Sequence, residues 1–374
     1  MLPFTEQELH HWKLLERFRE KLLPRLQSSG CAGARRPTQL TQEAYFSLFL
    51  FRLLNPVITS MRGLCGATSF IKMRKVVPQP VAPSSFSEAQ HLFSSEILAG
   101  VVRDLAAQAR GQMQFGDPQV RQAVEALTIV DGTLLRAVNR MAWTPQDSGR
   151  SAVRLHLHFS AFDQVPVDWT ITPGKVSEVK EWKRRIRPGA FYVVDRLYCQ
   201  DLLYLKKLRK DGVDFVVRLR DNITRTARGA ARPLTPEDVK AGVVSDRMEE
   251  LGQGGGGPIL RIVRIEAGGQ QFLLATTRTD LPAHLIGLIY RYRWQIELFF
   301  KWIKTMLPCG HWLAESPAGV SIQIHSIFIA ALLLMLAAGR RPNKREMEAL
   351  QFYWTGFISE EELAGVLSTQ KKKN

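Results

Sequence analysis

Apolar and polar positions over residues 285–304 recur with the period of an α-helix. Each helical residue turns the side chain by about 100°, so residues three or four apart share a face. One predicted face is apolar or aromatic: Leu285, Ile289, Tyr292, Ile296, Phe299, Phe300 and Ile303. The opposite face is polar: Tyr290, Arg293, Trp294, Glu297, Lys301 and Lys304. The pattern predicts a helix packed on a core, with Glu297 as the acid of the polar face.

Glu297 lies four residues from both Arg293 and Lys301. Its simplest role is an intrahelical ion pair with those two side chains. A role in a functional site requires further acids elsewhere in the chain. The remaining predicted elements therefore decide between the two interpretations.

Two other apolar patterns predict helices. Residues 1–117 show helical spacing, for example in TQEAYFSLFLFRLL, and predict a helical N-terminal domain. No diagnostic turn identifies a DNA-binding motif there, so DNA binding and plain packing both remain open. The most apolar stretch, residues 321–339, is free of polar side chains only from Ile327 to Ala338. That is too short to cross a bilayer, so we expect a buried core helix and no membrane contact.

From residue 118 the pattern becomes typical of strands. The apolar run in ALTIVDGTLL ends on Asp131, and the run in GAFYVVDRLY ends on Asp195. A hairpin, VRLHLHFSAFDQVPVDWTIT, lies between them, and the order of elements predicts a mixed α/β sheet. An apolar strand delivers its last side chain to the edge of the sheet, where ligands bind. Asp131 and Asp195 are therefore candidate site residues, although each could instead cap a turn.

The segment between Asp195 and Glu297 is longer than one helix and one strand require. The tract QGGGGP and the paired runs LRIVRIEA and QQFLLATT predict a β-rich insertion. We therefore divide the chain into a helical N-terminal domain, a first core part, the insertion, a second and helical core part, and a C-terminal helical segment with a basic tail. Their predicted bounds are 1–117, 118–212, 213–284, 285–345 and 346–374.

Histidine and cysteine positions predict no obvious metal centre. His156 and His158 fall on one strand face, but no third ligand lies nearby in the sequence, so ordinary strand surface is the favoured interpretation. The four cysteines have neither metal-type spacing nor a dense disulfide pattern, which indicates a reducing cytosol. The first residues contain acids and histidines without an apolar run, so we expect no signal peptide.

Charge indicates the class of partner. The chain has 51 Lys+Arg against 35 Asp+Glu, a net charge of +16, so an anionic partner is expected and nucleic acid is the first candidate. The bases are spread through clusters at 180–187, 206–210 and 339–345. This distribution fits several basic surfaces on a folded chain better than a charged arm, with generic solubility charge as the alternative.

Three acids beside bases can perform phosphodiester chemistry. Carboxylates are hard oxygen ligands, so Asp131, Asp195 and Glu297 could hold two divalent ions such as Mg²⁺ or Mn²⁺. Two such ions can activate water and stabilise the leaving oxygen of a phosphodiester. The neighbouring Arg and Lys side chains would hold the polyanion in place.

Fixed spacings give a resemblance to a known family. Tyr290, Arg293, Glu297 and Lys304 match a signature of Tyr, two residues, Arg, three residues, Glu, six residues, Lys. Together with VDGT at the first acid and the Asp, Arg and Tyr of VDRLY at the second, the chain resembles the DDE transposases of the insertion-sequence-four family. The resemblance covers residues 118–305 and identifies no DNA-recognition residues in the flanking segments.

The resemblance implies a ribonuclease-H-like catalytic core with a two-metal site, using Mg²⁺ or Mn²⁺, on the three acids. It implies cut-and-paste transposition, which in related enzymes passes through hairpin ends. The DNA contacts implied by the matched motifs are Tyr290, Arg293, Lys304 and Arg196. Trp294 could stack on a displaced base or pack against the insertion. The expected partners are double-stranded DNA at transposon ends and target, and further copies of the chain in a dimer or larger assembly, in the nucleoid of a prokaryotic cytoplasm.

Other functions would use the same features. A metal-dependent nuclease or resolvase on the same core would differ only in lacking strand joining. A non-catalytic DNA-binding relic would keep the basic surfaces and lose nothing on Glu297→Gln. The remaining alternative is a structural protein in which the acids only form ion pairs.

Overall fold

The computed structural model describes residues 9–29, 40–113, 115–137, 141, 143–144, 151–306 and 312–369. Its residues form two compact units. The helical unit comprises Met1–Met113, Leu134–Val153 and Phe300–Asn374, and the sheet unit comprises Gln114–Thr133 and Arg154–Phe299. These borders do not follow the five predicted segments, so that division remains a prediction.

The helical unit is built around one long apolar helix. Its helices are α1 His11–Ser28, α2 Gln42–Leu53, α3 Met61–Ala67, α4 Pro83–Leu92, α5 Glu96–Gln112, α12 Pro317–Ala338, α13 Lys344–Trp354 and α14 Glu360–Thr369. By length and composition α12 could cross a membrane, but 83% of its most apolar window is buried inside the protein. The predicted core helix is therefore confirmed. Ser316 caps its start, and Gly339 ends it in the left-handed conformation at φ 65°.

The sheet unit contains a mixed sheet of nine strands. The strands are β1 Thr128–Arg136, β2 Ala152–Ser160, β3 Pro166–Pro173, β4 Phe191–Val194, β5 Asp214–Arg218, β6 Arg225–Ala227, β7 Val243–Leu251, β8 Ile259–Ala267 and β9 Gln270–Thr276. Their order is β3-β2-β1-β4-β5-β9-β8-β7-β6. Strands β1, β4 and β5 are parallel. The predicted mixed α/β class is confirmed and is consistent with a ribonuclease-H-like core.

The predicted β-rich segment continues the same sheet. Strand β9 pairs antiparallel with β5, and β8, β7 and β6 follow in turn. The hairpin between β8 and β9 turns at Gly268 and Gly269, both at positive φ, as the glycine pair predicts. The added strands therefore start from the core strand β5.

A buried cluster holds the parallel strands in place. All four residues of β4 are buried, as expected for a strand covered on both faces. The helices of the sheet unit are α6 Pro118–Ala123, α7 Glu178–Arg185, α8 Leu202–Lys210, α9 Pro236–Lys240, α10 Ala283–Arg291 and the start of α11 Trp294–Met306. Trp182 of α7 and Leu205 and Leu208 of α8 join Val130, Tyr192 and neighbours in this cluster. The cluster thereby fixes strand β1, which contains Asp131, and strand β4, which directly precedes Asp195.

The predicted single helix over 285–304 is interrupted. Tyr292 and Arg293 form a turn between α10 and α11. The backbone N–H groups of Tyr292, Arg293 and Gln295 bond carbonyls three residues back, at 3.1, 3.0 and 2.9 Å. Such bonds wind the chain more tightly than an α-helix does. All seven residues of the predicted apolar face are nevertheless buried, so that part of the prediction is confirmed.

Candidate active site

Strand register brings the two aspartates to the same level. Ile129 of β1 pairs with Val193 of β4 in a parallel ladder. Continued by two residues, this register places Asp131 level with Asp195. Neighbouring strands lie about 4.8 Å apart, and side chains at one level of a parallel pair point to the same face. The sheet therefore aims both carboxylates into one space.

The structure corrects the predicted position of Asp131. We expected it at the end of a strand, but β1 continues to Arg136. Its parallel partner β4 ends at Val194, one residue before Asp195. Asp131 thus lies where the parallel pairing stops, which still exposes one side of the strand to the candidate site.

The carboxylate of Asp131 interacts electrostatically with those of Asp195 and Glu297. Burial raises the pKa of Asp131 to about 6. The N–H of Gly132, 2.8 Å from Oδ1, and the charge of Arg293 lower the pKa, whereas the charges of Glu297 and Asp195 raise it. These interactions act over short range, so the structure brings together all three acids that the sequence singled out.

Glu297 is ion-paired with Arg293, as its simplest interpretation predicted. The Arg293 side chain is 16% exposed and that of Glu297 is 34% exposed, so the pair is partly withdrawn from water. Arg293 also interacts electrostatically with Asp195 and Tyr290. The ion pair and proximity to the aspartates therefore occur together and are not alternatives.

Tyr290 lies beside the second aspartate. Its hydroxyl donates a hydrogen bond to Oδ1 of Asp195 at 3.3 Å. Burial and the charge of Asp195 raise the pKa of Tyr290 to about 12. The phenol is therefore a neutral donor at physiological pH.

The remaining predicted DNA contacts are more exposed. Trp294, the first residue of α11, is 55% exposed. Lys304 lies on the same helix, about two turns after Glu297, and Arg196 directly follows Asp195; both are exposed. All three could contact a large ligand without rearrangement of the core.

Arg218 joins this group although sequence reasoning missed it. Val194 pairs with Val217, so the next residues, Asp195 and Arg218, lie level. The charge of Arg218 also acts on Tyr290. Its guanidinium packs over the ring of Phe272, 4.7 Å from the centroid. The signal was present in VDFVVRLR, where an apolar run is followed by a charged residue, as in the two segments that contain Asp131 and Asp195.

The two histidines of β2 are not strand surface, contrary to prediction. His156 and His158 are only 6% and 4% exposed, because β2 is an interior strand. Burial lowers the pKa of each to about 4, so both are neutral at physiological pH. His156 Nε2 lies 2.8 Å from Thr172 Oγ1. Packing inside the sheet therefore holds both imidazole rings in place, and His156 also has the Thr172 hydroxyl as a partner.

Comparisons with known proteins show the family of the chain. A family profile described as "Transposase DDE domain" matches residues 122–333, more than half of the chain. The chain is 27% identical to "Putative transposase y4zB" of Sinorhizobium fredii over 63% of its own length and 67% of that protein. It is 24% identical to "Probable transposase for insertion sequence element IS5377" of Geobacillus stearothermophilus, over 66% and 64% of the two chains.

A third relative covers more of both chains. It is "Putative transposase for insertion sequence element IS4SA" of Synechocystis, 23% identical over 78% of this chain and 80% of that protein. The region matched by the family profile, residues 122–333, contains Asp131, Asp195 and Glu297. Because the family profile spans most of the sheet unit and both acidic strands, this chain belongs to the DDE-domain transposases of insertion sequences.

Proposed function

We propose that the chain cuts DNA at the ends of an insertion sequence and joins the freed ends to target DNA, with Asp131, Asp195 and Glu297 as its catalytic acids. The main support is the placement of Asp131 in β1 level with Asp195, which directly follows the parallel strand β4, within electrostatic reach of Glu297. The proposal includes a ribonuclease-H-like core and membership of the insertion-sequence-four family.

The acids suit divalent cations after one rearrangement. Within the described ranges, no three His, Cys, Asp or Glu side chains are grouped as a metal site. The three carboxylates are nevertheless the hard oxygen donors that Mg²⁺ and Mn²⁺ prefer, and their mutual repulsion would be offset by a cation. Glu297 has to turn from Arg293 to join them.

Mg²⁺ bound by these acids, with Mn²⁺ as a substitute, would supply an activated water and charge stabilisation for the leaving oxygen. The protein's own residues then bind and orient DNA. When Glu297 turns away, the guanidinium of Arg293 becomes available to a phosphate. Tyr290 holds the Asp195 carboxylate through its hydroxyl.

Side chains on the elements that carry the acids, or next to them, provide the DNA contacts in this proposal. The exposed Lys304 and Arg196 and the half-buried Arg218 supply positive charge for phosphates, and Trp294 offers an exposed ring for a base displaced near the cut. We further propose that two DNA ends are held by a dimer or larger assembly. Its place of action would be the nucleoid in a prokaryotic cytoplasm.

The test is strand cleavage and joining on duplex DNA that carries the inverted repeats flanking the gene. With Mg²⁺ or Mn²⁺, wild type should cut at the repeat tip and join the end to target DNA. Asp131→Asn, Asp195→Asn and Glu297→Gln should each abolish cleavage and leave DNA affinity within about threefold, because they remove metal-binding charge and not phosphate contacts. Glu266→Gln, at an exposed position near the end of β8, is the matched control and should cut normally.

The outcomes separate the alternative functions. Normal cleavage by one of the three acid variants would remove that residue from the site. Cutting without joining by wild type would indicate a nuclease or resolvase. DNA binding without cutting by wild type would indicate a non-catalytic relic.

A further inference from the structure

A fourth carboxylate, Glu178, packs on the backbone next to Asp131. Glu178 is the first residue of α7, and its side chain is 12% exposed. Gly132 directly follows Asp131 in β1, and a Cβ added to Gly132 would lie 2.7 Å from Cδ of Glu178. Real Cβ atoms do not approach other heavy atoms so closely, so the carboxyl group of Glu178 occupies the space that a side chain at 132 would need.

Two partners hold Glu178 in this position. Arg154 of β2 forms an ion pair with Oε1, and its own Nε donates to the carbonyl of Gly174 at 2.9 Å. The hydroxyl of Tyr198 lies 3.5 Å from Oε2 as its donor. Tyr198 is 2% exposed and packs edge-on against Trp182, with ring centroids 5.2 Å apart. The carboxylate is therefore held by side chains that are themselves fixed.

Glu178, Arg154 and Tyr198 together form the Glu178 assembly. This assembly lies next to the backbone that follows each of the two aspartates. Glu178 contacts the residue after Asp131, and Tyr198 lies in the short turn that begins immediately after Asp195. The negative charge of Glu178 is already balanced by the guanidinium of Arg154 in their ion pair. A structural contact to the backbone beside Asp131 and beside Asp195, and not metal ligation, follows from this geometry.

We propose that Glu178, held by Arg154 and Tyr198, is a positioning residue that sets the placement of Asp131 and Asp195 for divalent-cation binding. This inference rests on the proposed function of the two aspartates. Partners one step removed from metal ligands orient those ligands, and their loss commonly reduces metal affinity or activity 10- to 100-fold. Glu178 acts here through backbone packing at Gly132 and through the turn that carries Tyr198.

The test measures cation affinity as well as cleavage. Glu178→Gln keeps the side-chain shape and removes the charge that holds Arg154. We expect the Mg²⁺ concentration for half-maximal cleavage to rise roughly tenfold. Mn²⁺ binding by the full-length protein, followed by electron paramagnetic resonance without DNA, should weaken by a similar factor. Tyr198→Phe removes only the hydroxyl and should shift both quantities in the same direction by less.

Asp168→Asn is the matched control. Asp168 of β3 bonds Arg185 of α7 at 2.8 Å, so it also ties α7 to the β2–β3 hairpin. The three atoms nearest to a Cβ built at Gly132 all belong to Glu178 and none to Asp168. Loss of this ion pair should leave both the Mg²⁺ requirement and Mn²⁺ binding unchanged, whereas a general loosening of α7 would affect Asp168→Asn and Glu178→Gln alike.

A double-mutant cycle tests the packing contact directly. Gly132→Ala should raise the Mg²⁺ requirement in the wild-type background, because the new methyl group meets Glu178. In a Glu178→Ala background the obstructing carboxyl group is absent, so Gly132→Ala should change the Mg²⁺ requirement little. Strong non-additivity between the two sites is therefore expected.

Failure of this inference is distinguishable from failure of the proposed function. If wild type cuts and binds Mn²⁺ but Glu178→Gln and Tyr198→Phe retain wild-type cation requirements, the positioning role is overturned and the three-acid site stands. Additive effects in the cycle would also overturn it. If wild type neither cuts nor binds Mn²⁺, the proposed function fails and the positioning role fails with it.

Discussion

Desolvation shifts the pKa values of Asp131 and of the two β2 histidines in opposite directions. It raises the pKa of the carboxyl group to about 6 and lowers those of His156 and His158 to about 4. In each case burial penalises the charged form, which is the anion for aspartate and the cation for histidine. Residues on adjacent strands of one sheet thus favour neutrality unless a partner supplies the opposite charge.

His158 should contribute to acid sensitivity of the fold. Because its folded pKa is about 4, below the ordinary value of 6.5, the unfolded chain binds a proton in that window and the folded chain does not. Its contribution to stability is therefore present above the ordinary value and lost as the pH falls towards the folded pKa. The charged groups around it, Asp168, Glu181, Arg185 and Arg187, belong to β3, α7 and the turn after α7.

His158→Phe removes this proton and keeps a ring beside Tyr192, whose centroid lies 5.7 Å away. Between about pH 7 and about pH 4.5 the variant should lose less free energy of unfolding than wild type, by on the order of 2 kcal/mol. Urea unfolding at both pH values measures the difference, and groups that titrate in both proteins cancel. Parallel pH profiles would show that His158 is not the source.

At the scale of elements, turns decide where functional side chains point. The tight turn at Tyr292 and Arg293 separates α10, which carries Tyr290, from α11, which carries Glu297 in its first turn. The hydroxyl of Tyr292 is anchored by a hydrogen bond with the N–H of Asp117. The interruption is therefore held by contacts outside the helices themselves, and it places Arg293 beside the acids.

The turn from α9 into β7 depends on glycine. Gly242 has φ +85°, and an added Cβ would lie 2.3 Å from the carbonyl oxygen of Glu266. Gly212, after α8, has φ +70° but open space around it. Gly212→Ala should cost about 1 kcal/mol from backbone strain. Gly242→Ala should cost at least about twice as much, because strain and collision add. Chemical denaturation compares the two, and equal losses would contradict the collision.

Across the whole molecule, charge is the property most relevant to the proposed partner. The net charge of +16 is carried by a folded chain whose bases are partly neutralised by internal ion pairs, such as that of Arg261 with Asp246 at 2.7 Å. The charge that remains on the surface favours association with DNA. Affinity should fall as salt rises, because bound counterions are released from DNA phosphates.

Individual bases can be assigned to phosphates through this salt dependence. Arg293→Ala, Lys304→Ala and Arg218→Ala should each weaken DNA binding and reduce the slope of log affinity against log salt by about 1. The control is Lys13→Ala, which removes an exposed base paired with Glu16 at 3.4 Å. Binding titrations at several salt concentrations measure the slopes. A variant with an unchanged affinity and slope does not contact phosphate.

Local spacing in the sequence determined much of the architecture. It predicted the buried face over Leu285 to Ile303, a buried helix within residues 321–339, and a mixed sheet with acids after apolar runs. These features depend on which residues share a face within one element, and that follows from helix and strand periods alone. The spacing of Tyr290, Arg293, Glu297 and Lys304, together with the motifs at the two aspartates, likewise indicated the transposase family.

Only the tertiary structure decided how separate elements meet. It placed Asp131 level with Asp195, added Arg218 to that level, and seated Glu178 on Gly132. It also buried His158, for which ordinary strand surface had been the favoured interpretation. Strand register and the covering of a sheet face by helices depend on contacts between residues far apart in the chain. No local period encodes which strands become neighbours or which face a helix covers.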